Sequence, residues 1–457
     1  MKIQFPILLF LFPFIVALIG VTSCEQTPKQ YYVINEDGKY GYIDSLGNKV
    51  IEPSYFWATQ FSDGLALVVS DTSWIGNSFG TIPDELKINY HYIDYSGKTV
   101  GKKNYTAFFN GTLCISFPRF KEVMSRFLYS DGRALFQYSY TDSTTFSSEV
   151  HRYKYGYINK KGKLVIPCDY DSGSPFHDGK ALVQESFEEL IDNGHMDNKW
   201  KVITLDGTPL SDYIFSKGSS FVNNRCLTTV YSKDNTEGQN ANNNQRIIHV
   251  LLDENAKIIK TFPNGLKMKL FNEYIVNEAG RAAFFNIGSE FYYARNGEDV
   301  PKSHEMSSAW IKNVSKARGF LNYPLGEDVH ISYVKGISEG LCVCTTGKED
   351  CDTWFFSDVH GFLYGNQKDN LYVFEDAKTF SSGLAAVKLD GKWGYINHDF
   401  NIVIPCQYDT ADPFNGSLAY VEEDHGELQI SSYINRYGTI VWQNTKLSRT
   451  TDWLIAK

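Results

Sequence analysis

The chain is 457 residues long, more than one ordinary core holds, and no clean linker divides it. Aromatic residues make up 15% of it, with 30 tyrosines, a composition that favours strands over helices. A net charge of −9 speaks against the basic stripe that nucleic acid or an anionic membrane surface would need.

The chain opens with one positive charge, Lys2, and an apolar run from Ile3 to Ile19 interrupted by Pro6 and Pro13. That run is short for a spanning helix, which takes about 20 residues. Val21-Thr22-Ser23-Cys24 follows it. The flank resembles the lipobox of bacterial lipoproteins, and the resemblance implies a signal peptide over residues 1–23 with a lipid on the Cys24 thiol. An uncleaved anchor or an ordinary signal peptide are the competing readings. Residues 24–30 then form a short polar tether, and 31–457 the folded part. The expected place is the cell envelope, attached to a bacterial membrane by the lipid alone, with the membrane and its face left open.

Three stretches of the folded part repeat one another, within residues 31–69, 153–184 and 371–421. Tyr40-Gly41-Tyr42-Ile43-Asp44 returns as Tyr155-Gly156-Tyr157-Ile158-Asn159 and as Trp393-Gly394-Tyr395-Ile396-Asn397. Downstream, Val50-Ile51 returns as Val165-Ile166-Pro167-Cys168 and Val403-Ile404-Pro405-Cys406. Self-similarity of this kind marks a repeat architecture. The segment from Asp390 through Trp393-Gly394 to Pro405, with Phe380 to Val387 ahead of it, resembles the WG repeat, a bacterial tandem unit named for its Trp-Gly pair. Two copies carry Tyr for Trp, so this is a diverged member, and the family implies no reaction.

Degenerate units open near Tyr92, Lys201, His249, Gly336 and Tyr433. Each reads as strand, tight Asp-Gly turn, returning strand and an Asp/Asn-x-x-Gly corner. The glycine after the aromatic leaves room for a neighbouring ring. Lys121 to Val150 and Asn235 to Gln245 lack periodicity and read as surface loops. One such meander cannot bury its own apolar face, so units must stack. The fold class is therefore all-β, a tandem array of degenerate meanders, with propeller-like closure preferred over an open β-solenoid or hairpin array. Half units at Tyr31 to Ile34 and Tyr433 to Val441 could complete one blade together.

No catalytic motif stands out. Glu422-Glu423-Asp424-His425 gathers carboxylates beside a histidine, but a solvated turn explains it better than a metal or acid–base site. Asp44, Asn159 and Asn397 read as turn-shaping residues. Cys168 and Cys406 share one repeat position, a small apolar site. Cys344 could bridge to Cys351, though a free buried thiol is the commoner state. Repeat aromatics such as Tyr42, Tyr157 and Tyr395 belong to the core. Of the tryptophans at 57, 74, 200, 310, 354 and 393, Trp57 and Trp74 lie outside the shared register and are the candidates for an exposed ligand surface.

The expectation is a binding module and not an enzyme, with no cofactor and no metal. Its partner would be an envelope protein or peptide; a glycan is the alternative, and nucleic acid is not expected. A propeller-type glycoside hydrolase is a third reading, since two facing carboxylates could come from distant units.

Overall fold

The computed structural model describes residues 29–75, 85–110, 117–142, 150–185, 199–211, 220–232, 246–262, 333–345, 353–358 and 372–447. It also describes Phe215 and three short strands between residues 268 and 286. These residues form antiparallel sheets and one helix, in chain order. The first sheet is β1 (Tyr32–Glu36), β2 (Lys39–Ile43) and β3 (Lys49–Tyr55). The second is β4 (Trp57–Ala58), β5 (Ala66–Ile75), β6 (Glu85–Ile93) and β7 (Thr99–Asn110), followed by helix α1 (Phe117–Ser125). The third joins β8 (Arg133–Asp142), β9 (Val150–Asn159), β10 (Leu164–Gly173), β11 (Lys180–Glu185) and β12 (Trp200–Thr204). Three-stranded sheets follow: β13 (Cys226–Ser232), β14 (Arg246–Leu252) and β15 (Ile258–Phe262); then β16 (Met268–Phe271), β17 (Tyr274–Asn277) and β18 (Ala283–Asn286). A sixth sheet holds β19 (Tyr333–Ser338), β20 (Leu341–Thr345) and β21 (Phe355–Asp358). The seventh is β22 (Asp376–Ala377), β23 (Ala385–Leu389), β24 (Lys392–Ile396) and β25 (Ile402–Tyr408). The eighth is β26 (Thr410–Ala411), β27 (Leu418–Asp424), β28 (Leu428–Asn435) and β29 (Ile440–Leu447). Among the described residues no helix is long and apolar enough to cross a membrane.

Local chemistry builds each sheet. The hairpin into the second strand of a unit turns on two residues with positive φ, as at Asp63-Gly64, Asp131-Gly132, Asp178-Gly179 and Ser382-Gly383. A left-handed pair of this kind matches the twist of the strands it joins. At the last corner of a unit, one side-chain oxygen accepts two backbone amides. Asp44 Oδ1 takes those of Leu46 and Asn48, and Asn397 Oδ1 those of Asp399 and Asn401, at 2.9 to 3.0 Å. Asp94, Asn159, Asp253 and Asn435 repeat the pattern. The turn-shaping role expected of these residues is what they perform.

Glycine after the aromatic has a different cause from the one expected. Tyr40 pairs with Tyr55 and Tyr42 with Ile51, so Glu52 to Ser54 bulge opposite Gly41. A Cβ on Gly41 would lie 2.6 Å from the Ile51 carbonyl oxygen, and one on Gly394 2.5 Å from that of Ile404. The close neighbour is the bulged backbone of the paired strand, not a ring. Proline fits at the bulge (Pro53, Pro167, Pro405) because its missing N–H is not needed there.

Where their side chains are described, successive sheets stack face to face and bury apolar sides against one another. Tyr42 and Ile51 of the first sheet pack on Val68 and Ile93 of the second. Leu86 and Tyr92 of the second meet Leu135 and Tyr157 of the third. Val343 and Phe356 of the sixth meet Val387 and Ile396 of the seventh, which in turn packs Tyr395 on Ala419 and Ile434 of the eighth. Each such side chain stabilises by roughly 1.5–3 kcal/mol when fully buried. A tyrosine hydroxyl reaches forward along the chain in each unit: Tyr42 donates to the Thr59 carbonyl and Tyr395 to that of Asp412, each at the start of the next sheet, and Tyr157 to that of Ser174 within the third, at 2.7 to 2.8 Å.

The array closes, and the fold is a β-propeller. Tyr433, the last copy of that tyrosine, donates to the Val33 carbonyl of the first sheet at 2.9 Å. Leu418, Tyr433 and Trp442 bury themselves against Tyr32, Ile34 and Ile43. Closure therefore runs through stacking: β1 to β3 and β26 to β29 form separate sheets, and the two terminal half units do not merge into one blade. The stretch from Lys121 to Val150 is also corrected. It contains the end of α1 and all of β8, with Met124, Phe127 and Leu135 buried, whereas Asn235 to Gln245 lies outside the described residues.

Candidate functional site

The two ends of the propeller differ. At one end lie the hairpin turns at Asp63-Gly64, Asp131-Gly132, Asp178-Gly179 and Ser382-Gly383 and the short corners 44–48, 94–98, 253–257 and 397–401. There the turns also bind one another: Asp63 Oδ2 accepts the Gly132 amide, Asp131 that of Gly179 and Asp178 that of Asn224, at 2.6 to 2.7 Å. The opposite end is uneven. Strands β1 and β2 connect through Asp37-Gly38 and β23 and β24 through Asp390-Gly391. The same connection spans residues 76–84, 143–149, 186–199 and 233–245 in other units. Strands β5 to β9 are correspondingly long and carry their ladders out to Ile75–Glu85 and Asp142–Val150.

The β8–β9 hairpin presents an aromatic and cationic face at this uneven end. Tyr138 and Tyr140 alternate on β8, are 54% and 38% exposed, and lie nearly parallel with ring centres 6.3 Å apart. Directly across on β9 stand Lys154 and Arg152, on the same face because cross-strand partners share a side. Lys154 also pairs with Asp171 at 2.7 Å. The hairpin is firmly rooted. Gln137, buried to 2% exposure, accepts the Phe108 amide (2.7 Å), donates to the Phe108 carbonyl (3.0 Å), and donates to the Tyr155 hydroxyl (3.0 Å). Tyr153 stacks on Phe108 and donates to the Glu85 carboxylate. Burial and that carboxylate together raise the Tyr153 pKa, so the phenol stays a donor at neutral pH.

The residues singled out in the sequence fall elsewhere. Trp57 is 5% exposed and meets Phe120 edge-on, so it is core and offers no ligand surface. Its apparent isolation from the repeat register arose because its partner is α1, the one helix among the described residues. Trp74 is half-buried against the same core, with its indole N–H enclosed and without an acceptor. Cys24 lies outside the described residues. The expected core tyrosines, 42, 157 and 395, are fully buried.

Around Glu422 the side chains hold one another. The hydroxyls of Thr410, Tyr420 and Ser431 donate to the Glu422 carboxylate at 3.0, 2.8 and 3.4 Å, and Glu423 lies 3.6 Å from His425. Among the described residues no group of three His, Cys, Asp or Glu is placed to hold a metal ion. Cys344 is a free thiol, fully buried 3.7 Å from the Ser357 hydroxyl, so it forms no bridge; Cys351 lies outside the described residues. Cys168 and Cys406 are likewise free and half-buried, and burial pushes the Cys168 thiol up to about 11.

The exposed tyrosine pair is hidden in the sequence because Lys121 to Val150 carries no copy of the repeat string and reads as a loop. The alternation in Leu135-Phe136-Gln137-Tyr138-Ser139-Tyr140 was the available signal for a strand with two aromatics on one face.

Comparison with known proteins bears on the scaffold. The family described as WG containing repeat matches residues 40–74, 155–186, 371–393 and 393–424. No curated protein matches the chain. Among solved structures, similarity extends to the WD40 β-propeller domain of Doa1, with 14% identity, 79% of this chain and 90% of that one covered, and a TM-score of 0.25. TolB from Acinetobacter baumannii is similar at 13% identity, with 84% and 80% covered and a TM-score of 0.22. Hsv2p from Kluyveromyces lactis follows at 10% identity, 58% and 74% covered, and a TM-score of 0.28.

Proposed function

We propose that this chain, which carries WG containing repeats in four stretches, is a non-enzymatic binding module. In this reading it is tethered to a bacterial envelope membrane through a lipid on Cys24. It presents its uneven end to a protein or peptide partner. The observation that carries the reading is the asymmetry between the two ends. Regular turns bind one another at one end, while long strands and lengthened connections gather at the other. Loops held on a rigid scaffold are where recognition concentrates, and repeat scaffolds make broad surfaces.

Within that end, Tyr138, Tyr140, Arg152 and Lys154 supply the contact chemistry, since tyrosine and arginine dominate the energetics of protein interfaces. The test is a pull-down from detergent-solubilised envelopes with the chain from Glu25 as bait. One protein recovered by the parent and lost by the Tyr138→Ser, Tyr140→Ser double variant, at unchanged stability, is the expected result. Partner recovery unaffected by the double variant would remove this hairpin from the interface. Turnover of a substrate that disappears with one carboxylate change would overturn the non-enzymatic reading.

The nearly parallel exposed rings favour a glycan as the second reading. Retention of envelope polysaccharide by the parent, lost in the double variant, with no protein recovered, would decide for it.

A further inference from the structure

We propose that the regular end of the propeller rests on the membrane surface through an apolar foot centred on Leu46 and Tyr437. This rests on the lipidation of Cys24 proposed above. The third residue of the last corner is polar in successive units: Ser96, Lys161, Asp206, Asn255 and Asp399. Among the described corners it is large and apolar or aromatic only in the first and last units, as Leu46 and Tyr437, and these are 76% and 89% exposed. The two units are not adjacent in sequence. They meet because the ring closes, with Gly47 set directly against the Val441 carbonyl, and Ile440 beside that contact is 46% exposed.

The tether leaves from the same place. Gln30 donates to the side-chain and backbone oxygens of Asn415 at 2.7 and 2.8 Å, and Asn415 opens a hairpin turn at this end of the eighth sheet. Residues 25–30 reach at most about 20 Å when fully extended. A lipid on Cys24 therefore holds this end, and not the uneven one, within that distance of the bilayer. A leucine and a tyrosine exposed there meet the interfacial region, where aromatic side chains partition well. The uneven end is then turned outward.

The experiment uses the full-length chain, expressed with its leader and reconstituted into vesicles of phosphatidylethanolamine and phosphatidylglycerol. Photoreactive p-benzoylphenylalanine replaces Leu46, Tyr437, Tyr138 or Asp390 one at a time, and lipid adducts are read by mass spectrometry. Adducts at least fivefold more abundant at 46 and 437 than at 138 and 390 are expected. Equal yields, or the reverse order, overturn the foot while leaving lipidation standing. Cross-linked dimers in place of lipid adducts would make the patch an interface between copies and also overturn it. A mature N-terminal peptide without a diacylglyceryl mass on Cys24 overturns lipidation and the foot together.

Discussion

Gly394 occupies a position where the paired strand bulges toward its Cα, so that a Cβ would meet the Ile404 carbonyl at 2.5 Å and the Cys406 nitrogen at 2.6 Å. Gly391, three residues earlier, is constrained only by its φ of +75°, with open space around it. Gly394→Ala should therefore cost about 2–4 kcal/mol, because backbone has to move. Gly391→Ala should cost about 1–2 kcal/mol, the penalty of a left-handed alanine. Denaturant unfolding of both variants checks the ranking, and equal losses would refute the bulge as the reason for the Trp-Gly pair. The corner aspartates add a pH dependence. Asp94 accepts the Ser96 hydroxyl at 2.6 Å and the Ser96 and Lys98 amides, and these bonds hold its carboxyl below the usual 3.8. Since the folded value lies below the unfolded one, its stabilisation is complete above the unfolded value and is lost as pH falls through the folded one. Asparagine serves the same corner at 159, 397 and 435. Asp94→Asn should thus stay within about 0.5 kcal/mol of the parent at neutral pH. Its stability should also fall less between roughly pH 4 and pH 2. Melting temperatures measured across that range test both halves, and an unchanged acid slope would exclude Asp94 as a contributor.

Strand β8 shows how an element can be set by a neighbour that the repeat pattern does not contain. Its buried Gln137 makes with Phe108 the pair of bonds that a backbone would make, and so fastens the third sheet to the edge of the second. Gln137→Leu keeps the volume but removes its bonds to the Phe108 amide and carbonyl, at a cost of about 1–3 kcal/mol. Amide exchange should accelerate first along β7 and β8, and exchange that quickens uniformly across the chain would argue against a local stitch. The units with the Tyr/Trp-Gly-Tyr-Ile string were legible in sequence because their corners, turns and buried tyrosines depend on local chemistry repeated at fixed spacing. Helix α1, the turn after it and β8 were not legible, because their apolar residues Phe120, Met124, Phe127 and Leu135 pack into the core between one pair of sheets. The same cause misassigned Trp57, whose solitary register reflected a solitary partner, and concealed Tyr138 and Tyr140 inside a presumed loop.

Closing the ring changes what the terminal sheets need. In an open stack the first and last units would each expose one apolar face, as terminal repeats do unless capped. Here Tyr433 and Trp442 occupy that place: Tyr433 takes up a first-sheet carbonyl, and the Trp442 indole donates to Glu36 at 3.0 Å. Asn444 adds a bond from its side chain to the Asn35 carbonyl at 2.8 Å. The sequence favoured closure over an open array but did not indicate its means, because a stacked seam and a shared blade use the same terminal half units. Trp442→Ala separates the two. It removes a side chain only 8% exposed and should cost about 3–5 kcal/mol, the range for truncating a buried aromatic. Because the seam joins residues some four hundred apart, the loss should appear at both ends of the chain. Amides in β1 to β3 and in β26 to β29 should lose exchange protection together, while β9 to β11, on the far side of the second sheet, keep theirs. Loss confined to β26 to β29 would mean that the first sheet is held by the second alone, and that closure contributes little to its stability.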